Sequence, residues 1–438
     1  MITRILASAC LGLLAASACA ADGSAAPPDG QLIRQGEYLS RAGDCAACHT
    51  APGGKPFAGG LAMPSPLGTI YSTNITPDKD TGIGGYSLED FDRAVRAGVA
   101  KEGHTLYPAM PYPAFAKVTP EDIEALYAYF MHGVEPVRQE NKPTDIPWPL
   151  SMRWPLAAWR WIFAPDPVPP AGGQAAPADA AQAELLRGQY LVEGLGHCSA
   201  CHTPRGFALQ EKALADADGK DFLSGGVVEG WLAKSLRGDA ASGLQAWSRQ
   251  DIVAFLKTGR NAHSAAFGGM AQVVEDSTQY LSDADLNAIA AYLKTLAPAD
   301  PAATQPLAYD EAAAQALRTG GELGRGAMTF LDSCAGCHRS TGKGYEETFP
   351  QLALSSTVNT ADPVSLIHIV LKGARMPGTE AAPTRFAMPG FDWRLTDQEV
   401  ADVVTFVRTS WGNRAAPVDA AEVAKVRKEV GAQAAPVR

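Results

Sequence analysis

Cys45-Ala46-Ala47-Cys48-His49 is the stretch from which the rest of the chain is read, and it recurs as Cys198-Ser199-Ala200-Cys201-His202 and as Cys334-Ala335-Gly336-Cys337-His338. Cysteines three positions apart lie on one face of a helical turn, with the histidine directly after them. This is the attachment signature of haem c: two thioethers to the haem vinyl groups and an axial bond from histidine to iron. A redox dithiol or a disulfide framework has no need of the trailing histidine, and a zinc site usually takes four ligands. Three copies imply three haem c groups.

A length of 438 residues suits about three domains of ordinary size, matching the number of motifs. A unit of about a hundred residues buries limited apolar surface, so a covalent haem would form much of its core. The 43 glycines and 32 prolines point to loops wrapped around that core. A net charge of −10 argues against nucleic-acid binding. Residues 1–20 read as a signal peptide: Arg4, an apolar run from Ile5 to Ala16, then Ala18-Cys19-Ala20 with the cut after Ala20. Cys19 offers a competing lipoprotein reading. Cys10 and Cys19 fall in this segment and the other six cysteines all lie in the motifs, which leaves none for a disulfide. No later stretch has the eighteen or more apolar residues of a membrane span.

The surroundings of the motif repeat as well. Before it come Ile33 to Leu39, Leu186 to Leu191 and Leu323 to Ala327; after it come helices capped by Thr119, Ser282 and Thr396. With the closing helices aligned at Asp122, Asp285 and Glu399, the aromatic residues Tyr129, Tyr292 and Phe406 fall in register. Gly36, Gly188 and Gly326 align in the opening helices. A glycine opposite an aromatic ring lets two helices cross closely, and in this each unit resembles a class I cytochrome c. The expected architecture is mainly α: domains at 30–138, 184–298 and 318–413, linkers at 139–183 and 299–317, and a tail at 414–438. In the first linker Trp148, Trp154, Trp159 and Trp161 lie within fourteen residues. A strap packed across the domains is preferred to docking on a partner or a membrane interface. The tail has Val423, Val426 and Val430 on one side and reads as an ordinary solvated helix.

Methionine is the expected second axial ligand of an electron carrier, because its thioether favours ferrous iron. Met110 lies nine residues before the first closing helix, whereas Met63 is too near the motif and Met131 is inside that helix. Met270 is the one candidate of the second unit. In the third, Met388 competes with Met376. Helices ending at Gly98, Gly259 and Gly373 precede Met110 by twelve residues, Met270 by eleven, Met388 by fifteen and Met376 by three. Met388 is chosen, and Met376 is left to packing. His104 and His263 are alternatives to Met110 and Met270. His132, His197 and His368 receive no role.

The chain resembles the three-haem cytochrome c subunits of membrane-associated periplasmic dehydrogenases acting on alcohol, gluconate or fructose. The residues that carry the likeness are the triple motif, Ser72 to Asp78 with Thr81 to Gly84, Leu191 to His197, and Met388 to Phe391 with Leu395 to Asp397. The resemblance implies a partner subunit with a flavin or quinone cofactor, ubiquinone as acceptor, and a place on the periplasmic side of the cytoplasmic membrane with peripheral attachment. Six-coordinate iron offers no open position for substrate, so no catalytic residue is expected in this chain. A multihaem peroxidase would need a vacant ligand position, and a stand-alone shuttle would have no dedicated dehydrogenase.

Overall fold

Each cysteine-histidine motif lies between two helices that cross, and glycine permits the crossing. The computed structural model describes residues 29–168, 177–300 and 304–432; the signal-peptide reading and the Cys19 alternative lie outside them. Gly30–Ala42 crosses Pro120–His132, Ala180–Tyr190 crosses Asp283–Leu293, and Arg325–Ser333 crosses Asp397–Thr409. A Cβ at Gly36 would sit 1.9 Å from the Ala125 carbonyl oxygen, at Gly188 2.0 Å from that of Ala288, and at Gly326 2.1 Å from that of Asp402. The same three positions face the Cβ atoms of Tyr129, Tyr292 and Phe406. The expected glycine–aromatic register is thus present at all three crossings. Each closing helix begins where a hydroxyl satisfies an orphan amide: Thr119 accepts from Asp122 N, Ser282 from Asp285 N and Thr396 from Glu399 N.

A further helix lies between motif and closing helix in every copy: Leu88–Ala97, Arg249–Thr258 and Val364–Lys372. They stop at Gly98, Gly259 and Gly373, whose φ values of 64°, 75° and 80° favour glycine. Strands among the described residues are short antiparallel pairs, with no larger sheet. The fold is mostly helical.

The apolar interior is split unevenly. One core runs from Leu39, Leu126 and Phe130 of the first unit into Leu191, Leu286 and Leu293 of the second. A separate core holds Phe330, Val404 and Trp411 of the third. That second core takes Ala314 and Leu317 from the helix Ala312–Thr319, which falls largely in the expected 299–317 linker. It also takes Val423, Val426 and Val430 from the C-terminal helix Ala420–Ala432. The tail is therefore docked, not simply solvated, because its three valines form one helical stripe that the third unit covers. Arg427 fastens it, donating to the Asp397 carboxylate at 2.7 Å.

The first linker is tied to the first unit on both sides of its helix. Gln139 donates to the Ala58 carbonyl at 2.7 Å, Asp145 N to Thr69 O at 2.8 Å, and Val168 N to Ala116 O at 2.8 Å. Between these ties the helix Trp154–Phe163 has no buried residue. The expected packing across the domains is made by one side of this helix, where Trp159 meets Tyr112 of the first unit and donates to Ala208 O of the second; its other side is left exposed.

Candidate haem sites

His49 ends the helix Cys45–His49, His202 ends Ser199–His202 and His338 ends Ala335–His338. Each imidazole is held by its Nδ1 against a backbone carbonyl: Thr73 O at 2.7 Å, Lys234 O at 2.7 Å and Pro350 O at 2.9 Å. A carbonyl only accepts, so the proton is on Nδ1 and the lone pair is on Nε2. An axial histidine requires that tautomer, and the second partner also fixes the ring's orientation. Desolvation by surrounding protein lowers the pKa of all three rings, that of His202 to about 4, although His49 and His202 keep some accessible surface. They are neutral at pH 7.

The surroundings of the buried cysteines do not favour a redox dithiol. Burial pushes the thiols of Cys45 and Cys198 up to about 12 and that of Cys334 to about 11, whereas a dithiol centre needs one depressed thiol. Cys48, Cys201 and Cys337 complete the three motifs and are exposed. Among the described residues no group of three or more His, Cys, Asp or Glu could hold a metal ion. The donor set fits thioether-linked haem better than zinc: paired cysteines on one turn and a neutral imidazole with Nε2 free.

The three methionines lie on the segments that follow the helix-ending glycines. In the first two units the loop is pinned to the glycine itself, by Leu106 N to Gly98 O at 2.8 Å and Ala266 N to Gly259 O at 2.7 Å. Met110 then lies half-buried against the first core, and Met270 stands in the first turn of Gly269–Asp276. Met388 lies in the strand Ala387–Pro389, opposite Ala374 of Gly373–Arg375. A Cβ at Gly373 would lie 2.3 Å from the Met388 carbonyl oxygen, so this glycine and Met388 are direct neighbours. Met376 is buried at 9% exposure and lines one cleft with Arg260, Tyr345 and Pro350.

The longer spacing in the third unit has a physical cause. The additional loop residues dock on the second unit: Arg260 donates to Ala382 O at 3.1 Å and Thr384 O at 2.7 Å, Gly378 N donates to Glu275 at 2.7 Å, and Arg385 pairs with Glu275 at 3.0 Å. Sequence reasoning passed over Arg260, because a lone arginine carries no local signal for a contact more than a hundred residues away.

The histidines considered as alternatives have other partners. His104 is exposed, 4.0 Å from Glu102. His263 Nε2 lies 3.3 Å from Asp251, and its ring stacks on Trp247. His197 and His368, which received no role, stand at seams between units. His197 reaches Gly43 O at 3.2 Å and meets Phe115 edge-on. His368 stacks on Trp231 with centroids 3.7 Å apart.

Sequence comparison agrees with this construction. The chain belongs to the cytochrome c family, which matches residues 33–133, 185–297 and 323–411. It is 55% identical to the gluconate 2-dehydrogenase cytochrome c subunit of Pantoea cypripedii, over 99% of this chain and 97% of that protein. It is 52% identical to the cytochrome c subunit of the quinone alcohol dehydrogenase of Gluconacetobacter polyoxogenes, over 98% and 91%. The fructose dehydrogenase cytochrome subunit of Gluconobacter japonicus is 38% identical, over 90% and 82%.

Proposed function

We propose that the chain is a three-haem electron-transfer subunit built of three tandem class I cytochrome c domains, each wrapped around its haem. It takes electrons from a dehydrogenase catalytic subunit with a flavin or quinone cofactor, which oxidises an alcohol, sugar or sugar acid, and passes them to ubiquinone. It works on the periplasmic side of the cytoplasmic membrane, peripherally attached. The observation that carries the haem assignment is the triple histidine arrangement, with every Nδ1 on a carbonyl and every Nε2 left for iron. The partner class rests on the names of the relatives above, matched over nearly the full chain.

Cys45 and Cys48, Cys198 and Cys201, and Cys334 and Cys337 would hold the groups through thioethers. His49, His202 and His338 would be the proximal ligands, and Met110, Met270 and Met388 the distal ones. Bound there, haem iron supplies one-electron exchange between ferric and ferrous states. The chain's own contribution is to orient each imidazole through a carbonyl, and its methionine thioethers would supply a soft ligand that favours ferrous iron. The docking of the Met388 loop on the second unit favours Met388 as ligand, since it accounts for the one spacing that departs from the repeat.

Purification from membranes, with identification of the accompanying chains, tests the partner. Reduction of the bound cytochrome by that partner's substrate, and reoxidation by a ubiquinone analogue, test the direction of flow. A soluble monomer with no dehydrogenase partner would favour a stand-alone shuttle, and ready cyanide binding with peroxide turnover would favour a peroxidase. Met388→Ala should remove one Fe–S(Met) near-infrared band; loss of that band in Met376→Ala instead would reverse the ligand choice.

A further inference from the structure

The helix Trp154–Phe163 carries an apolar surface that the electron-transfer reading does not use. Its sequence, Trp-Pro-Leu-Ala-Ala-Trp-Arg-Trp-Ile-Phe, contains one charged residue, yet no side chain is buried. Trp154, Ala158, Trp161 and Ile162 fall at i, i+4, i+7 and i+8, one face of the helix, and all four are exposed. Trp154 is 71% exposed, Trp161 84% and Ile162 60%. The opposite side is anchored to the protein: Trp159 donates to Ala208 O at 2.9 Å and packs against Phe163 and Tyr112. The turn before the helix adds Trp148 and Leu150 at 80% and 52% exposure, and Phe207, 94% exposed, touches Phe163.

Exposed apolar surface of this extent, held by a rigid anchor, marks a docking site. Two observations select its occupant. The exposed face is dominated by tryptophan, the residue enriched at the bilayer–water boundary. The charge around it is also reversed relative to the rest of the chain. Residues 148–163 and 203–212 together carry Arg153, Arg160, Arg205 and Lys212 against Glu211, a surplus of three positive charges in a chain of net charge −10. A positive surplus beside an aromatic face complements an anionic lipid surface. At 10 residues the helix is about 15 Å long, half a hydrocarbon core, so it would lie in the interface and not cross it.

We infer that this face is the membrane-attachment element: Trp148, Trp154, Trp161, Ile162 and Phe207 insert at the headgroup boundary of an anionic bilayer, with Arg153 and Arg160 beside them. The inference rests on the peripheral attachment proposed above and names the residues that perform it.

The test uses the haem-loaded full chain with vesicles of phosphatidylethanolamine and phosphatidylglycerol in equal parts, beside vesicles of phosphatidylcholine alone. Co-sedimentation should be strong with the first and weak with the second, and tryptophan emission should shift to shorter wavelength on binding. The triple variant Trp154→Ser, Trp161→Ser, Ile162→Ser should lose about 10-fold or more in partitioning, while the haem spectrum and melting temperature stay unchanged because no altered side chain is buried. Undiminished vesicle binding by that variant would overturn the assignment. So would intact vesicle binding combined with loss of a co-purifying dehydrogenase subunit, which would make the face a protein interface. If the wild-type chain ignores both vesicles while its complex still fractionates with membranes, the attachment element named here is wrong and the electron-transfer reading stands.

Discussion

Tyr38 and Tyr190 stand two residues after the crossing glycines of the first and second units, and each reaches the closing helix of the other. Tyr38 donates to Asp285 at 2.5 Å and Tyr190 to Asp122 at 2.6 Å. The residue before each glycine joins the same carboxylates across its own crossing: Arg187 grips Asp285 at 2.8 Å, and Gln35 donates to Asp122 at 3.2 Å. The third unit has Met328 where the tyrosines would be, and it is 53% exposed. One repeat is thus used in two ways. The first two copies exchange polar contacts reciprocally and share one core, whereas the third completes its core with the flanking helices Ala312–Thr319 and Ala420–Ala432 and reaches the second unit through the Met388 loop.

If the first two units are one cooperative body and the third is another, a valine at a crossing glycine separates them. Gly36→Val and Gly326→Val should each cost about 3 kcal/mol, because the obstruction is backbone and cannot rotate away. Calorimetry should show the first lowering the transition of both leading units together and the second lowering that of the third alone. Independent melting of the first and second units in Gly36→Val would break the comparison.

The next effect is at Asp285. Asp285→Ala leaves a partly buried guanidinium and a tyrosine hydroxyl without their acceptor, at about 2 kcal/mol. The aligned change Glu399→Ala removes only a solvent-facing cap and should shift the melting temperature less.

Acidity sharpens the same point. Burial acts to raise the Asp285 carboxyl, but bonds from Arg187 and Tyr38 outweigh it and hold the group below its ordinary value near 3.8. Its contribution is therefore complete above that value and is lost as pH falls through the lower, folded-state one. The seam should be insensitive to pH near neutrality and weaken below about pH 4. In Asp285→Asn that part of the acid dependence should vanish from melting curves recorded across the acid range. The smallest effect concerns the tyrosines: Tyr190→Phe should cost about 1 kcal/mol, and Met328→Tyr, with nothing to reach, should change stability by no more than about 0.5 kcal/mol.

Much of the fold was legible from local pattern. The three motifs, the capped closing helices, the glycine-ended helices and the glycine–aromatic crossings follow from residues a few positions apart, and the structure has all of them. The spacing Gly36-x-Tyr38 and Gly188-x-Tyr190 was equally visible, and its absence at Met328 was the available hint that the third unit is placed differently. Nothing local marked Arg260 or His368, or showed where His197 of the Leu191 to His197 stretch would reach, because their partners lie over a hundred residues away.

What the sequence by itself determined is the chemistry of attachment: which cysteines and histidines form each motif, and how often the plan is repeated. These are properties of one helical turn and of spacing along the chain. Tertiary structure alone decided which nitrogen of each histidine is free, because the carbonyls that take Nδ1–H stand 12 to 32 residues downstream. It also decided that two units share a core while the third stands beside them, and that a tryptophan helix bridging the first two units turns its other side outward. Burial and hydrogen bonding depend on what the folded chain brings together, and the order of residues does not state that.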